Sequence, residues 1–589
     1  MKDENKDDLT RENYRRNHKI INDNDIEDTD ISSKQIVVEI PDDLQVQKIT
    51  SENIQESARD KMIKGSIWMT AGSVFSRILG ALYIIPWLIW MGKNGNLANA
   101  LYAKAYQVYS IFLVISTAGV PGAVSKQVAH YNAMNEYEIG QKLYRHGLIM
   151  MSIMGIISMI IMYFGAPLFA VGNKQLIIIF RALSWALLII PILSITRGFF
   201  QGYSRMAPSA LSQFVEQIAR VTYMLVTCYL IMKIFHGYYV DAVAQSTFAA
   251  FIGASVGLLL LIFYYLIHLN YFTSVVQNSK NKLKISTNQI LFGIVQQAIP
   301  YIIMDSGISI FYLVDQYTFN PLMLEIKYFS KNHLDSLFAL FAFNANKLVM
   351  IIVSVATAMA ITATPLLSAA YTMKNEKRIG LQVNNMLQLF FFVMIPASVG
   401  LSAVADPLYT IFYGHSSLGI SVLILSAYVS IILGLYTVMA AILQALYKNW
   451  DAIICLIIGF LFKILFQYPC IRIFQVYGPL IATFIGFTVS SLLMLFVIVH
   501  NYDINFIQTI KRLFVIIIFS GIMFFVVKIT IIILHLFLNP YRRIDDVIIL
   551  IISSFFGVMF YVYCVLKTRL ADRIVGKKVE RFRHILKIH

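Results

Sequence analysis

The stretch ISTAGVPGAVSKQVAHYNAMNEYEIG at residues 115–140 returns without a gap as VATAMAITATPLLSAAYTMKNEKRIG at 355–380. Thr117 falls on Thr357, Ala129 on Ala369, Tyr131 on Tyr371, Asn135-Glu136 on Asn375-Glu376 and Ile139-Gly140 on Ile379-Gly380. At the same spacing of 240, Pro167-Leu168 meets Pro407-Leu408. Further along, Gln201 and Arg205 fall on Gln444 and Lys448, and Arg220 on Lys463, at a spacing of 243. Both copies lie among apolar runs long enough to cross roughly 30 Å of hydrocarbon. Those runs sit near 65–92, 100–125, 146–170, 176–200, 208–232, 241–269, 288–314, 337–363, 381–405, 417–446, 452–475, 477–499, 512–538 and 546–567. They predict an all-α polytopic membrane protein of about fourteen transmembrane helices. Barrel strands are excluded because the runs are too long and single helices satisfy their own backbone groups. An even number of helices separates the copies, so the repeat is parallel: two six-helix bundles around a central cavity, a transporter architecture. Two extra helices follow the repeat.

This reading divides the chain into an N-terminal tail at 1–60, a first bundle at 61–270, a basic linker at 271–287, a second bundle at 288–500, two added helices at 501–567 and a basic tail at 568–589. Hydrophobic residues make up 58% and charged residues 14%, well below the quarter found in soluble domains. The first 60 residues hold 16 of the 32 acidic side chains and are read as a disordered cytoplasmic tail. Beyond them, 39 Lys and Arg face 16 Asp and Glu. If the first helix starts inside, the cytoplasmic connections carry Lys142, Arg145, Arg205, Lys280, Lys282, Lys284, Lys377, Arg378 and the basic C-terminal tail. The opposite side has fewer cations, which places both termini in the cytoplasm of a multi-pass protein of the cell membrane. The C-terminal tail is expected to lie against anionic lipid headgroups.

No signal-peptide layout is visible, and Cys228, Cys455, Cys470 and Cys564 have no metal or redox spacing. No GxxxxGK[ST] loop is present, the histidines are scattered, and most loops are too short for an outer catalytic domain. No enzyme, bound cofactor or nucleic-acid partner is expected.

Ions inside apolar runs are costly and usually functional. Arg77, in GSVFSRILGALYIIP, lies about four turns into the first helix, too deep to snorkel. Lys347, in FAFNANKLVMII, has a similar depth in the eighth helix and a polar approach through Asn344 and Asn346. Lys104, before YQVYS, reads equally as a cavity residue or a helix-end residue. Asp305 and Asp315 share the seventh helix about 15 Å apart. Each is a candidate for coupling to a monovalent cation or proton, or a neutralising partner for a nearby cation. Glu216 and Arg220 are one helical turn apart and are expected to form a structural ion pair. Lys463 and Arg181 have no partner that the sequence reveals.

FSRILGALYIIPW at 75–87, LVISTAGVPGAVSKQVAHYN at 113–132 and FFQGYSRMAPSALSQFVEQIARV at 199–221 resemble the polysaccharide transport family of the multidrug/oligosaccharidyl-lipid/polysaccharide exporter superfamily. So do LVDQYTF at 313–319 and NANKLVMIIVSVATAMAITATPLLSAA at 344–370. The likeness runs over roughly 64–500 and is nearest to the Gram-positive branch of MurJ-type lipid II flippases and the stage V sporulation protein B group. It implies a carrier that turns an undecaprenyl-pyrophosphate-linked saccharide from the inner to the outer leaflet. By the same resemblance, Ser76-Arg77 and Lys347 serve the pyrophosphate, Lys104 stands in for a second-helix cation, and Asp315 matches a coupling aspartate. A second first-helix arginine expected near Tyr83 is absent. Lipid II is the leading cargo, with a capsule or teichoic-acid precursor as the alternative. A cation-coupled drug exporter and a non-transporting scaffold for cell-wall synthesis proteins stand further off, the former because amphipathic cations want an acidic cavity.

Overall fold

The computed structural model describes residues 76, 79–80, 82–117, 120–203, 205–279, 287–372, 376–502, 504, 506–539, 542–574 and 583. The segment 1–60, Arg77, the basic run 280–286 and most of the C-terminal tail lie outside the described residues. Every described element is helical. The first half comprises α1 (Ile84–Met91), α2 (Gly95–Thr117), α3 (Val120–Ala133), α4 (Tyr137–Phe169), α5 (Lys174–Gly202), α6 (Met206–Tyr229), α7 (Tyr239–Ile267) and the short α8 (Leu269–Gln277). The second half runs through α9 (Thr287–Ile326), α10 (Lys331–Ala339), α11 (Asn346–Thr372), α12 (Glu376–Ala403), α13 (Ala405–Tyr413), α14 (Ser417–Ala445), α15 (Asn449–Phe474) and α16 (Gly478–Asn501). The last helices are α17 (Ile507–His535), α18 (Arg543–Lys567) and α19 (Leu570–Ile574). Leu230–Ile234 and Leu340–Ala345 are single π-helical turns.

Ten described stretches are long and apolar enough to span a bilayer, and one of them, Asn449–Asn501, is the α15–α16 pair joined by a three-residue turn. Several helix limits differ from expectation (α4, for one, begins at Tyr137 and not at 146), and two of them bear on the site. The seventh run was bounded at 314, yet α9 continues to Ile326. Its extra turns carry Gln316, which is buried, and Asn320, which donates to Asp335, so polarity there reports an interior face and not a helix end. The eighth run begins at Lys331 instead of 337, capped by the Ser330 hydroxyl, which accepts from the His333 amide at 3.3 Å.

α2 is the interior helix. Asn99, Lys104 and Gln107 are all buried on it, along with Ala98, Ala105 and Tyr109. It packs against α5, α9 and α10, so its polar groups must find partners within the protein and not in lipid. The outer helices show the opposite pattern. Ile149, Ile153 and Phe164 on α4, and Ile551, Phe555 and Val558 on α18, are exposed, which is the lipid-facing surface of a multi-pass membrane protein. α17 and α18 pack on α12, where Met523 and Val527 join Ile395 and Ala403, and the Tyr561 hydroxyl donates to the Phe392 carbonyl at 3.0 Å.

Two helix pairs approach each other through glycine. A Cβ on Gly486 would lie 2.7 Å from the Gly459 carbonyl oxygen and 3.0 Å from Lys463 Cβ. A Cβ on Gly253 would lie 2.7 Å from the Glu216 carbonyl oxygen and 2.9 Å from Arg220 Cβ. The α15 positions 459 and 463 are each 243 residues beyond the α6 positions 216 and 220. The connections entering α6 and α15 also match: the Arg205 amide donates to the Phe200 carbonyl, and the Lys448 amide to the Leu443 carbonyl, both at 2.9 Å.

Gly486→Ala forces a carbon against backbone that has no rotamer with which to yield. We expect a loss of about 1–3 kcal/mol, read as a lowered melting temperature of the purified protein in detergent. Gly521→Ala, where nothing lies within 4 Å, leaves it unchanged.

Candidate functional site

The interior of the fold sorts its cations by what they are given to pair with. Lys104 on α2 is held at 2.5 Å by Asp335 of α10, which also accepts from Asn320 at 3.0 Å. Both side chains of the ion pair are 9% exposed, and the Lys104 ammonium lies 5.2 Å from the centre of the Phe338 ring. Of the two readings the sequence left open for Lys104, the structure puts it in the interior, with its charge already matched.

Lys463, which sequence left without a partner, receives three. Its ammonium donates to Asp315 Oδ1 at 2.6 Å, Thr483 Oγ1 at 2.8 Å and the Pro479 carbonyl at 2.9 Å, with no side-chain surface exposed. Three donors meeting three oxygens satisfy the ammonium completely. Gln467 braces the same carboxylate at 2.9 Å and the Thr318 hydroxyl at 2.9 Å. Of the two readings offered for Asp315, the contact seen is the neutralising one, with Lys463 of α15. Asp305 lies on an exposed position of the same helix, and Ser76 is half-buried.

Glu216 and Arg220 meet at 2.5 Å on α6, but the pair is a triad. Arg197 of α5 reaches the other carboxylate oxygen at 2.8 Å and anchors its Nε on the Ser212 hydroxyl at 2.7 Å. Arg197 escaped the sequence reading because its partner is 19 positions away on another helix, and no local spacing marks such a contact. Arg181 is exposed and stands 5.2 Å from the Tyr163 ring.

Lys347 differs from all of these. It follows directly on the π-turn Leu340–Ala345, which advances the helix by an extra residue and re-aims the side chains beyond it. Just before it, Asn344 accepts from Asn99 at 2.9 Å and donates to the Tyr409 hydroxyl at 3.0 Å, tying α2, the π-turn and α13 together. The Lys347 ammonium lies 5.6–5.9 Å from the ring centres of Phe343, Tyr83, Tyr102 and Tyr106. No carboxylate holds it among the described residues. Rings from α2 and from the approach to α1 thus surround a half-buried cation with negative π-faces and no compensating full charge. Such a cation can take an anion without first breaking a salt bridge. A cavity of about 20 Å³, the size of one water, is lined by Gln107, Tyr312, Asp315 and Asn346, which is next to Lys347 in sequence, but not by Lys347 itself.

The family described as "Polysaccharide biosynthesis protein" matches residues 62–371. The lipid II flippase MurJ of Bacillus subtilis (strain 168) is 34% identical over 538 residues, covering 89% of this chain and 98% of that protein. Stage V sporulation protein B of the same organism is 27% identical over 172 residues, 29% of this chain and 33% of its own. Among solved structures, an inward-facing multidrug resistance MATE family transporter of the MOP superfamily aligns with a TM-score of 0.57 and 17% identity, covering 72% of this chain and 94% of that one. A MOP superfamily transporter from Pyrococcus furiosus aligns with a TM-score of 0.55 and 16% identity, covering 74% and 95%. These structural likenesses establish the fold.

Asp315→Ala leaves the Lys463 ammonium buried without its counter-charge. We expect a cost of about 3–5 kcal/mol, measured as loss of folded protein on a detergent melting curve. The double variant Asp315→Leu/Lys463→Met removes both charges and recovers most of that loss.

Proposed function

The chain belongs to the polysaccharide biosynthesis protein family, and we propose from that membership that it is a flippase moving lipid II from the inner to the outer leaflet for peptidoglycan synthesis. The observation that carries this reading is Lys347, an interior cation with no carboxylate partner among the described residues, in a chain that aligns with 98% of the Bacillus subtilis lipid II flippase. It is a transporter and not an enzyme, as that full-length relationship indicates. Its fold is that of transporters in the MOP superfamily.

A pyrophosphate carrying about two negative charges cannot enter bare hydrocarbon, because burying an unpaired ion costs far more than thermal energy. A lysine ammonium in a polar interior offers it charge-assisted hydrogen bonds. Arg77 on the first helix is assigned the same task, with Ser76 beside it. The polyprenyl tail stays in lipid while the headgroup passes between the two halves of the molecule, which open to alternate sides. Inside-negative potential contributes about 2.3 kcal/mol per charge per 100 mV and favours outward movement of the anion. It also favours return of the emptied cationic site. The excess of basic residues in the connections supports a cytoplasmic-membrane location with both termini inside. The basic C-terminal tail is assigned to anionic headgroups, and cell-wall synthesis proteins are the natural neighbours of the product.

The test is made in cells depleted of the native protein, scoring lipid II accessible at the outer face. Lys347→Ala, which orphans no buried carboxylate, should be produced and inserted normally yet lower that signal about tenfold or more. Lys347→Arg should retain most of it. Unchanged lipid II exposure accompanied by loss of another surface polymer would reassign the cargo to a different lipid-linked saccharide.

A further inference from the structure

The triad of Arg197, Glu216 and Arg220 does not balance. One carboxylate serves two guanidinium groups, one on each oxygen, and no other carboxylate reaches either arginine among the described residues. A unit of positive charge is therefore left over inside the membrane-spanning region, where an unmatched ion is expensive to keep. The position 243 residues further on shows what a purely structural solution looks like. Lys463 has one carboxylate, a hydroxyl and a carbonyl, and is fully enclosed. Arg220 instead keeps 22% of its side-chain surface accessible, and its Nε has no hydrogen-bond partner.

The surplus faces the same aromatic group as Lys347. α6 packs against the chain's first span: a Cβ on Gly80 would lie 3.3 Å from Gln217 Nε2, one turn before Arg220. Tyr102 lies within electrostatic reach of both Lys347 and Arg220, and Tyr83 within reach of Arg220. Tyr102 and Tyr106 stack 5.8 Å apart, and Tyr106 meets Tyr109 at 5.4 Å. Tyr106 and Tyr109 also lie within electrostatic reach of Arg220. Gly253 and Gly257 let α7 close over Glu216, while Arg220 keeps part of its side chain accessible.

We propose that Arg220, with the charge left over from the Arg197–Glu216 pair, is a second binding group for the phosphate-bearing headgroup, beside the same tyrosine cluster as Lys347. Arg197 acts as a positioning residue: by neutralising Glu216 it frees the Arg220 charge for an anion. The ligand class is a pyrophosphate ester on a polyprenyl chain, so this inference rests on the flippase reading above. Arg220 belongs to the first half of the repeat and Lys347 to the second, so an anion touching both draws the halves together.

The experiment measures binding of a short-chain prenyl pyrophosphate to the purified full-length protein in detergent, with the matching prenyl alcohol as the uncharged control. Arg220→Gln leaves Glu216 paired with Arg197, so the melting temperature should hold while pyrophosphate affinity falls about tenfold or more and alcohol binding does not change. Arg197→Gln cancels the same surplus from the other side and should weaken pyrophosphate binding in the same way. That second variant carries the test if Arg220→Gln fails to fold. Wild-type affinity in either folded variant overturns the proposal. Loss of binding in Lys347→Ala alongside unchanged binding in the two arginine variants would overturn only this inference. Absence of pyrophosphate binding by the unaltered protein would overturn the flippase reading beneath it.

Discussion

A positive charge inside a bilayer must be matched, hydrated or held ready for an anion, and that requirement organises this molecule. The interior cations occupy three distinct grades of compensation. Lys463 is matched completely by Asp315, Thr483 and the Pro479 carbonyl. Lys104 is matched by Asp335. Arg197 and Arg220 divide one carboxylate between them, and Lys347 has, among the described residues, aromatic faces and no carboxylate. The fully matched ions join helices far apart in sequence, α9 to α15 and α2 to α10, and act as structure. Of the incompletely matched ones, Lys347 and Arg220 both lie within electrostatic reach of Tyr102 on α2.

Packing makes those grades possible. The glycine contacts Gly486–Gly459 and Gly253–Glu216 bring helix backbones close enough that a side chain one turn away is shut off from lipid. On α15 the enclosure is complete and the lysine is paired to match. On α6 the same close approach leaves Arg220 22% accessible. The π-turn at Leu340–Ala345 has the complementary effect on α11, because its extra residue separates the face that carries Asn344 from the face that carries Lys347. Asn344 is spent on bonds to Asn99 and Tyr409, while Lys347 is directed among the rings.

Electrostatically, the uncompensated positive charge favours an anionic headgroup over a cationic amphiphile. The fold is that of transporters whose solved relatives include multidrug exporters. Fold alone therefore does not select the cargo, and selection falls to the charges that line the interior. On the binding groups proposed above, a lipid-linked pyrophosphate would meet positive charge from both halves of the chain, whereas an organic cation would be repelled by it.

Much of this was legible before any coordinates. Long apolar runs dictate spanning helices because an unsatisfied backbone cannot sit in hydrocarbon, and the recurrence of 115–140 at 355–380 marks two related halves. The depth of Lys347 within an apolar run already singled it out, as did the one-turn spacing of Glu216 and Arg220. Hydropathy failed where helices are polar because they are interior, so the last turns of α9 were missed, with Gln316 and Asn320 facing protein and not lipid. Partnership across helices was out of reach altogether: nothing in the chain's order tells that Asp315 belongs to Lys463, Lys104 to Asp335, or Arg197 to Glu216. Sequence by itself determined which charges enter the membrane, because that depends on local hydrophobic length. Only tertiary structure decided which of them are cancelled, because cancellation depends on contacts of a few ångströms between residues that the chain holds far apart.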